Sequence, residues 1–394
     1  MTTTRAVLLI AASTLALTVP LRARAQDTAA YRDTTQKHAA AAPRAGTPAL
    51  DFSGVIFGNY QFQTDSLAKA ANGGKSPNKF DIERAYLTVR LPTGNRAAIR
   101  VTTDIKQQAN NSFYNGWIVR LKYAYFQYDV LQPTTSGLAA LARIGVLHTI
   151  VIDHEEGFWP RYLGKVAIER AGFFSSADVG VAAQVTLPGH WGELYGTLTN
   201  GNGYESPETD RFKDIALRLS LTPLGRQKNM LQTVTISPWY YRGQAASKFA
   251  TDSVDPITSG LARNRWGVFV GNHDRRLTFG AEYAERTDGA EEGATAVART
   301  VTDVTGRLYN AFAIVRPLEW ANPKTSVSVG VVFRLDDFKP DTDLDGSTRF
   351  ITAGAFWEPT RSTALALDYQ RSRPENGLGG SESSIWYLHW QANF

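Results

Sequence analysis

Apolar and polar side chains alternate with a period of two along most of the chain after residue 50. In residues 96–106, for example, Ile99 and Val101 alternate with Arg100 and Asp104. Successive side chains of a β-strand point to opposite faces, so this pattern predicts strands with one apolar and one polar side. No later stretch approaches 18 uninterrupted apolar residues, which a transmembrane helix would require.

The alternating segments predict an all-β chain of roughly sixteen strands. Each segment is long enough for the 9–11 residues, roughly, that a tilted membrane strand needs. The even count predicts a closed antiparallel transmembrane barrel. The predicted strands lie near residues 51–63, 80–91, 96–106, 118–129, 141–152, 178–187, 192–200, 212–222, 230–240, 262–271, 276–286, 304–315, 324–335, 348–357, 361–371 and 384–394.

The strands of a soluble β-sandwich also alternate apolar and polar residues, but two features favour a membrane barrel. Short connections alternate with long polar ones, as in outer-membrane barrels; the long ones are predicted at residues 64–79, 153–177, 241–262 and 287–303. Tryptophans recur near predicted strand ends, where amphipathic rings prefer the lipid headgroups; they are Trp117, Trp191, Trp266, Trp320, Trp357 and Trp390.

The two ends of the sequence carry features that predict export and insertion into the outer membrane. Residues 1–25 have a basic start, an apolar stretch and a small-x-small cleavage site, which predicts a signal peptide. Residues 26–50 lack periodicity and predict a flexible periplasmic tail, so that residues 51–394 form the barrel. The last predicted strand ends in Phe394, like the signal that barrel-assembly machinery reads on outer-membrane proteins.

Composition removes several function classes. The chain has no cysteine, which excludes disulfides, thiolate metal sites and a cysteine nucleophile. Removal of three arginines with the leader lowers the formal charge from +5 to +2, too little for recognition as a nucleic-acid binder. No H-E-x-x-H or G-x-S-x-G motif occurs, and we predict no enzyme activity, metal or cofactor. An outer-membrane barrel enzyme such as a phospholipase is the alternative.

A barrel of about sixteen strands is too wide for side chains alone to fill, so we predict an aqueous lumen. The longest predicted loop, residues 153–177, is the candidate to fold inward and narrow it; an external loop packed over the rim is the alternative. Its candidate constriction residues are Asp153, His154, Glu155, Glu156, Arg161, Lys165 and Arg170.

Strand parity places a set of cations on the inward faces. A row of such groups would lower the energy of a passing anion, and guanidinium groups bind phosphate oxygens in pairs. The predicted anion path consists of Arg90, Arg96, Arg100, Arg120, Lys122, Arg143, Arg218 and Arg334. An equally favoured alternative is that these cations pair with inward acids and brace the wall; those acids are Asp104, Asp214, Glu282 and Asp368.

Several motifs within residues 52–225 resemble the phosphate-selective porin O and P family. They are DIERAYL at residues 81–87, KYAYF at 122–126, RIGV at 143–146, IERA at 168–171 and TNGNG at 199–203. The resemblance implies a sixteen-stranded, usually trimeric porin whose third loop narrows the channel and whose lumen is lined by arginines and lysines.

Together these features predict a porin of a Gram-negative outer membrane that passes small anionic, phosphate-like solutes by passive diffusion. The expected partners are outer-membrane lipid, those solutes, two further copies of the chain in a homotrimer, and the assembly machinery. Asp153, Glu155 and Glu156 at the start of the constriction loop argue against strict phosphate selectivity. A non-selective porin or a sugar or dicarboxylate porin is the alternative.

Overall fold

We describe a computed structural model of the chain. It describes residues 50–108, 115–208, 210–248, 260–293 and 298–394. The predicted signal peptide and nearly all of the predicted tail lie outside these residues.

Sixteen antiparallel strands form a closed barrel in which each strand pairs with its neighbours in sequence. The strands are β1 (Asp51–Gln63), β2 (Asn78–Pro92), β3 (Ala97–Gln108), β4 (Gly116–Leu131), β5 (Ala139–His148), β6 (Ala177–Leu187), β7 (Gly192–Thr199), β8 (Asp214–Leu221), β9 (Thr235–Ala245), β10 (Leu261–His273), β11 (Leu277–Glu292), β12 (Thr300–Val315), β13 (Ser328–Lys339), β14 (Ser347–Thr360), β15 (Thr363–Glu375) and β16 (Ser383–Asn393). The predicted fold class is confirmed.

The first and last strands close the barrel. Strands β1 and β16 pair from Val55 opposite Asn393 to Gln63 opposite Ile385. Beyond that register, the backbones of Gly54 and Phe394 exchange two hydrogen bonds, of 2.8 and 3.0 Å. Closure leaves no unpaired strand edge, which a structure in lipid requires.

The helices are short and lie in the connections. They are α1 (Ser66–Ala71), α2 (Ile152–Glu155), α3 (Ala167–Arg170) and α4 (Pro317–Ala321), with 3₁₀ turns at Arg161–Leu163 and Pro188–His190. Within the described part of the chain, none of the helices has the length and apolar character needed to cross a membrane.

Large apolar side chains cover the outer wall. Val119, Ile144 and Phe333 are each more than half exposed, on the faces that the alternation predicts to point outward. Five of the six tryptophans predicted at strand ends are also exposed, from 46% to 53% of their surface; they are Trp117, Trp191, Trp266, Trp320 and Trp357. The sixth, Trp390, packs on the outer side over Gly58. This wall can be stable only against lipid.

The structure corrects several predicted boundaries. The long loop predicted at 287–303 is mostly strand, because β11 and β12 stay paired up to Glu292 opposite Thr300. Backbone pairing does not require an apolar face once the strands extend beyond the bilayer, so the hydropathy pattern misses such extensions. Strand β9 begins at Thr235 instead of 230 because turns occupy the preceding residues. Strand β13 likewise begins at Ser328, after α4 and a turn.

Candidate functional site in the barrel lumen

The connection between β5 and β6, residues 149–176, folds into the barrel; we call it the third loop. Near its start, the backbone oxygen of Ile150 accepts a hydrogen bond from Arg218 on the inner face of β8. In α2, Nε2 of His154 lies 2.9 Å from Oγ of Ser237 on β9. Burial, and then the charge of Arg218, lower the pKa of His154 well below its ordinary value, so this imidazole is neutral.

The third loop is held against the inner wall by a dry aromatic contact. The Trp159 ring lies 5.2 Å from the Phe312 ring of β12, between centroids. Phe158 similarly lies 5.0 Å from Phe269 of β10. Trp159 is 1% exposed. The alternative of an external loop over the rim is therefore wrong, and part of the barrel interior is an apolar core rather than water.

Polar clamps fix the far side of the third loop. Arg334 on β13 binds Asp336 through two hydrogen bonds of 2.7 and 2.8 Å, and donates a third of 2.7 Å to the backbone oxygen of Lys165. Arg170 of α3 lies 3.4 Å from the same Asp336. Because each clamp joins the loop to a wall strand, the loop position is set by the barrel.

The tip of the loop reaches the opposite wall. Arg161 lies 3.0 Å from Glu83 on β2 and 3.3 Å from Glu156 of its own loop. Gln370 on β15 donates a 3.1 Å hydrogen bond to the backbone oxygen of Leu163. The loop thus spans the lumen from the β8–β13 wall to β2 and β15, and so narrows any passage through the barrel.

Glu155 of α2 faces another carboxyl group. Its side chain is 3% exposed and interacts with Glu282 of β11, which is 5% exposed. Burial, and then the charge of Glu282, raise the pKa of Glu155 well above its ordinary value. A protonated Glu155 can donate a hydrogen bond to Glu282, whereas two carboxylates repel.

Seven of the eight cations predicted to line the anion path lie on the inner face: Arg90, Arg100, Arg120, Lys122, Arg143, Arg218 and Arg334. The placement of Arg96 is wrong. Arg96 is exposed in the turn between β2 and β3, because β3 begins only at Ala97.

Several of the cations predicted for the anion path bind carboxylates other than those that the bracing alternative named. Arg218 pairs with Glu193, Arg120 lies 2.8 Å from Glu205, and Arg90 lies 3.7 Å from Asp51. Of the acids considered for this role, Asp104 pairs with Arg84, Asp214 with Arg263, and Asp368 with His389, while Glu282 faces Glu155.

Three cations on adjacent strands have aromatic neighbours. Arg100 lies 4.9 Å from the Tyr123 ring centroid, Lys122 lies 4.1 Å from that of Tyr86, and Arg143 lies 5.3 Å from that of Tyr125. The three are between 4% and 6% exposed. The negative face of each ring attracts the cation over it, so the rings hold these three cations in place on the lumen wall. We call Arg100, Lys122 and Arg143 the cationic cluster.

A bulge in β4 brings two consecutive side chains of this region inward. The pairing with β3 shifts between Thr102 and Thr103, which leaves Lys122 as the extra residue. Both Lys122 and Tyr123 are buried, and the Tyr123 ring lies 3.9 Å from that of His148, between centroids. Strict alternation would send Tyr123 outward, so the sequence pattern misses it.

The two remaining predicted constriction residues, Asp153 and Lys165, also contact ionisable side chains. Asp153 lies 3.6 Å from His148 on β5, and Lys165 lies 3.3 Å from Glu169 in the loop. With Arg161, Arg170, His154, Glu155 and Glu156, all seven predicted residues lie in the folded-in loop. The acids among them contact cations or a histidine, or share a carboxyl pair.

Beside the loop tip lies a polar cavity of about 240 Å³. The six lining residues come from β1, β2, β15 and β16: Asn59, Gln61, Glu83, Gln370, Tyr387 and His389. We call it the amide-lined cavity. No pattern in the sequence marked these six residues as functional.

One ion network lies above the lumen. Glu205, in the connection between β7 and β8, lies 2.8 Å from both Lys106 on β3 and Arg120 on β4. Burial acts to raise the pKa of Glu205, but the hydrogen bonds and charges of Lys106 and Arg120 outweigh it and lower that pKa to about 2. This network ties the connection to the wall above the cationic cluster.

Solved structures with the same architecture are outer-membrane proteins. OmpF of Salmonella typhi, in complex with daunomycin, is 13% identical, with 88% of this chain and 98% of that chain covered at a TM-score of 0.57. An anion-selective porin from Comamonas acidovorans is 10% identical, with 88% and 99% covered at 0.58. OmpT of Vibrio cholerae, in a trimer form, is 9% identical, with 89% and 100% covered at 0.56. The chain has the porin fold.

The porin fold and the apolar outer wall together locate the molecule, since closed antiparallel barrels of this kind span bacterial outer membranes. The chain is therefore a protein of a Gram-negative outer membrane. No family model and no curated protein matches the sequence, so the resemblance to the phosphate-selective porin O and P family stays a prediction. Among the described residues, no group of three or more histidine, aspartate or glutamate side chains is placed to hold a metal.

Proposed function

We propose that this chain is an outer-membrane porin that lets small hydrophilic solutes cross by passive diffusion. The observation that carries the proposal is a closed barrel with an apolar outer wall and a third loop folded into a polar lumen. A barrel of sixteen strands is wide enough for an aqueous passage, and the loop narrows that passage to a size suited to small molecules.

Reconstitution into planar bilayers tests this proposal. The folded protein should produce discrete, step-like increases in conductance in potassium chloride. The heat-denatured protein at the same detergent concentration is the control and should produce none. Folded, membrane-inserted protein that gives no conductance steps would refute the channel function.

We further propose that the channel prefers anions, with phosphate-like solutes as the extreme case. The cationic cluster supports this preference because it places three cations on the adjacent lumen faces of β3, β4 and β5. Two features limit its strength: the cluster is nearly buried, and several other inner-face cations bind acids. A modest preference is therefore the expected result.

The reversal potential under a salt gradient measures this preference. Wild type should reverse on the anion-selective side, and replacing Arg100 and Arg120 together with glutamine should shift the reversal potential toward cations. Arg349→Gln, on the outer wall and 3.0 Å from Glu375, is the matched control and should leave it unchanged. A cation-selective wild-type channel would refute the anion preference while leaving the porin function intact.

We also propose a homotrimer that is exported with cleavage after Ala25 and assembled through recognition of Phe394. The trimer form of the Vibrio cholerae structure supports the oligomeric state, and the leader pattern supports cleavage. Native mass spectrometry of the protein purified from outer membranes measures both: three mature chains per particle, each beginning at Gln26, are expected. A monomer, or a chain that retains residues 1–25, would contradict the corresponding part.

A further inference from the structure

The amide-lined cavity differs chemically from the rest of the lumen. Three of its six lining side chains are amides, Asn59, Gln61 and Gln370, and none of the six is a lysine or arginine. Amides carry both hydrogen-bond donors and acceptors without formal charge. The cationic cluster, by contrast, lies on β3–β5. The lumen of this barrel thus presents two chemically different surfaces, and the cation-rich one is better suited to attract anions.

The amides of the cavity are held in place by their neighbours. Gln61 donates a 2.9 Å hydrogen bond to Oδ1 of Asn59, and Gln370 is fixed by its hydrogen bond to the backbone oxygen of Leu163 in the third loop. Side chains held in this way are preorganised, so a ligand that binds them pays less ordering entropy.

An aromatic pair forms another part of the lining. The rings of Tyr387 and His389 are stacked, with centroids 4.8 Å apart and planes 13° from parallel. His389 is 2% exposed, and its Nδ1 has no hydrogen-bond partner among the described residues. A buried polar atom without a partner costs free energy. A ligand hydroxyl in the cavity would supply the missing partner.

Negative charge also borders the cavity. Glu83 lines it directly, with Arg161 3.0 Å from its carboxylate, and Asp368 lies 3.0 Å from Nε2 of His389. Ionised phosphate is rich in hydrogen-bond acceptors, whereas the amide oxygens and the Glu83 carboxylate of the lining need hydrogen-bond donors. A hydroxyl both donates and accepts and can satisfy all of these groups.

We propose that the amide-lined cavity is a binding subsite for uncharged, polyhydroxylated solutes of sugar type. This proposal rests on the proposed porin function and names a solute class for it. The subsite holds such a solute by amide and carboxylate hydrogen bonds and by contact with the Tyr387 ring. The anion preference acts on small ions near the cationic cluster, on the neighbouring strands β3–β5.

Isothermal titration with D-glucose and maltotriose, on the folded protein in detergent, tests the subsite without requiring conduction. Both sugars should bind, and inorganic phosphate should not compete with them. Gln61→Leu removes the amide at similar size and should weaken sugar binding about tenfold or more. Gln184→Leu is the matched control on β6, where the amide bonds Glu193 away from the cavity; it should bind sugar like wild type.

Planar bilayers give the second readout. Glucose in the bath should reduce the single-channel current of wild type by a saturable fraction, and Gln61→Leu should need about tenfold more glucose for the same reduction. Conductance steps without sugar binding would overturn the subsite and leave the porin proposal standing. Sugar binding without conductance steps would overturn the porin proposal and leave the subsite standing. Phosphate that displaces glucose would also overturn the subsite.

Discussion

A buried ion pair on the inner wall costs more stability to break than an exposed pair on the outer wall. Arg334 is 1% exposed and contacts both Asp336 and the Trp159 ring, 4.7 Å from the ring centroid. On the outer wall, Arg349 lies 3.0 Å from Glu375, but its side chain is 44% exposed. Breaking a buried pair leaves an uncompensated charge, whereas an exposed pair is screened by water.

This contrast predicts different costs for two arginine-to-alanine changes. Arg334→Ala should lower the free energy of unfolding by about 3–5 kcal/mol, because Asp336 loses its bidentate partner. Arg349→Ala should change it by about 0–1 kcal/mol. Guanidinium titration of each variant in detergent micelles measures both values. Equal costs for the two variants would mean that Arg334 does not anchor the loop.

The carboxyl pair makes loop attachment depend on pH. Since the pKa of Glu155 is raised by burial and by Glu282, the folded state binds a proton more tightly than the unfolded state. The stabilisation of the folded state by this tighter proton binding is complete below the ordinary glutamate pKa of about 4.5. It is lost as the pH rises through the raised value.

The melting temperature should therefore fall with rising pH, and Glu155→Gln should flatten that fall because glutamine stays neutral. Glu375→Gln, on the outer wall, is the matched control and should keep the wild-type pH profile. Thermal melts between mildly acidic and alkaline pH measure the three profiles. If the melting temperature of Glu155→Gln falls with pH as steeply as that of wild type, the Glu155–Glu282 pair is not the source of the pH dependence.

At the scale of elements, the third loop behaves as an internal core built on a barrel wall. Its apolar residues meet inward apolar residues of the wall, such as Phe269 and Phe312. This is why the inner faces of β10 and β12 are not uniformly polar. Without the third loop, these inward phenylalanines would be exposed to the water of the lumen.

Trp159→Ala should release the middle of the third loop. Loss of a buried tryptophan costs about 3–5 kcal/mol, and a displaced loop should change single-channel conductance and broaden its distribution. Trp357→Ala, a tryptophan on the outer wall with 47% exposure, should leave conductance unchanged. Unchanged conductance in both variants would mean that the loop position does not control the passage.

The sequence predicted these elements unevenly, for physical reasons. Strands within the bilayer need one apolar face, so alternation revealed them; the extension of β11 to Glu292 has no such need and was predicted as loop. The bulge at Lys122 shifts the inward and outward positions of β4 by one residue. It was missed because it changes the strand pairing without changing the composition. Arg96 was misplaced because it is the last residue of the turn before β3, one position outside the strand.

At the scale of the whole molecule, the seam between β1 and β16 decides whether the barrel closes. The Phe394 ring covers Gly54, where an added Cβ would overlap it, and their backbones exchange hydrogen bonds. Phe394 therefore has a structural role at the seam besides its predicted role as an assembly signal. The two roles can be separated experimentally.

Phe394→Ala should reduce the amount of folded protein in outer membranes, because both seam packing and the predicted assembly signal are lost. Gly54→Val should disturb the seam while keeping the signal. Heat-modifiable migration in gels measures the folded fraction after expression and after refolding in detergent. If Phe394→Ala fails only in cells, the assembly signal dominates; if neither variant loses folded protein, both roles are refuted.

The sequence by itself determined the barrel class, the number of strands and which faces meet lipid, because each spanning strand must satisfy the same local rule of alternation. It also located the third loop and seven of the eight cations that it placed on the inner face. Only the tertiary structure decided which cations are bound by acids, where the loop packs, and which side chains line the amide-lined cavity. Those outcomes depend on contacts between residues such as Arg161 and Glu83, 78 positions apart, and no local pattern encodes them.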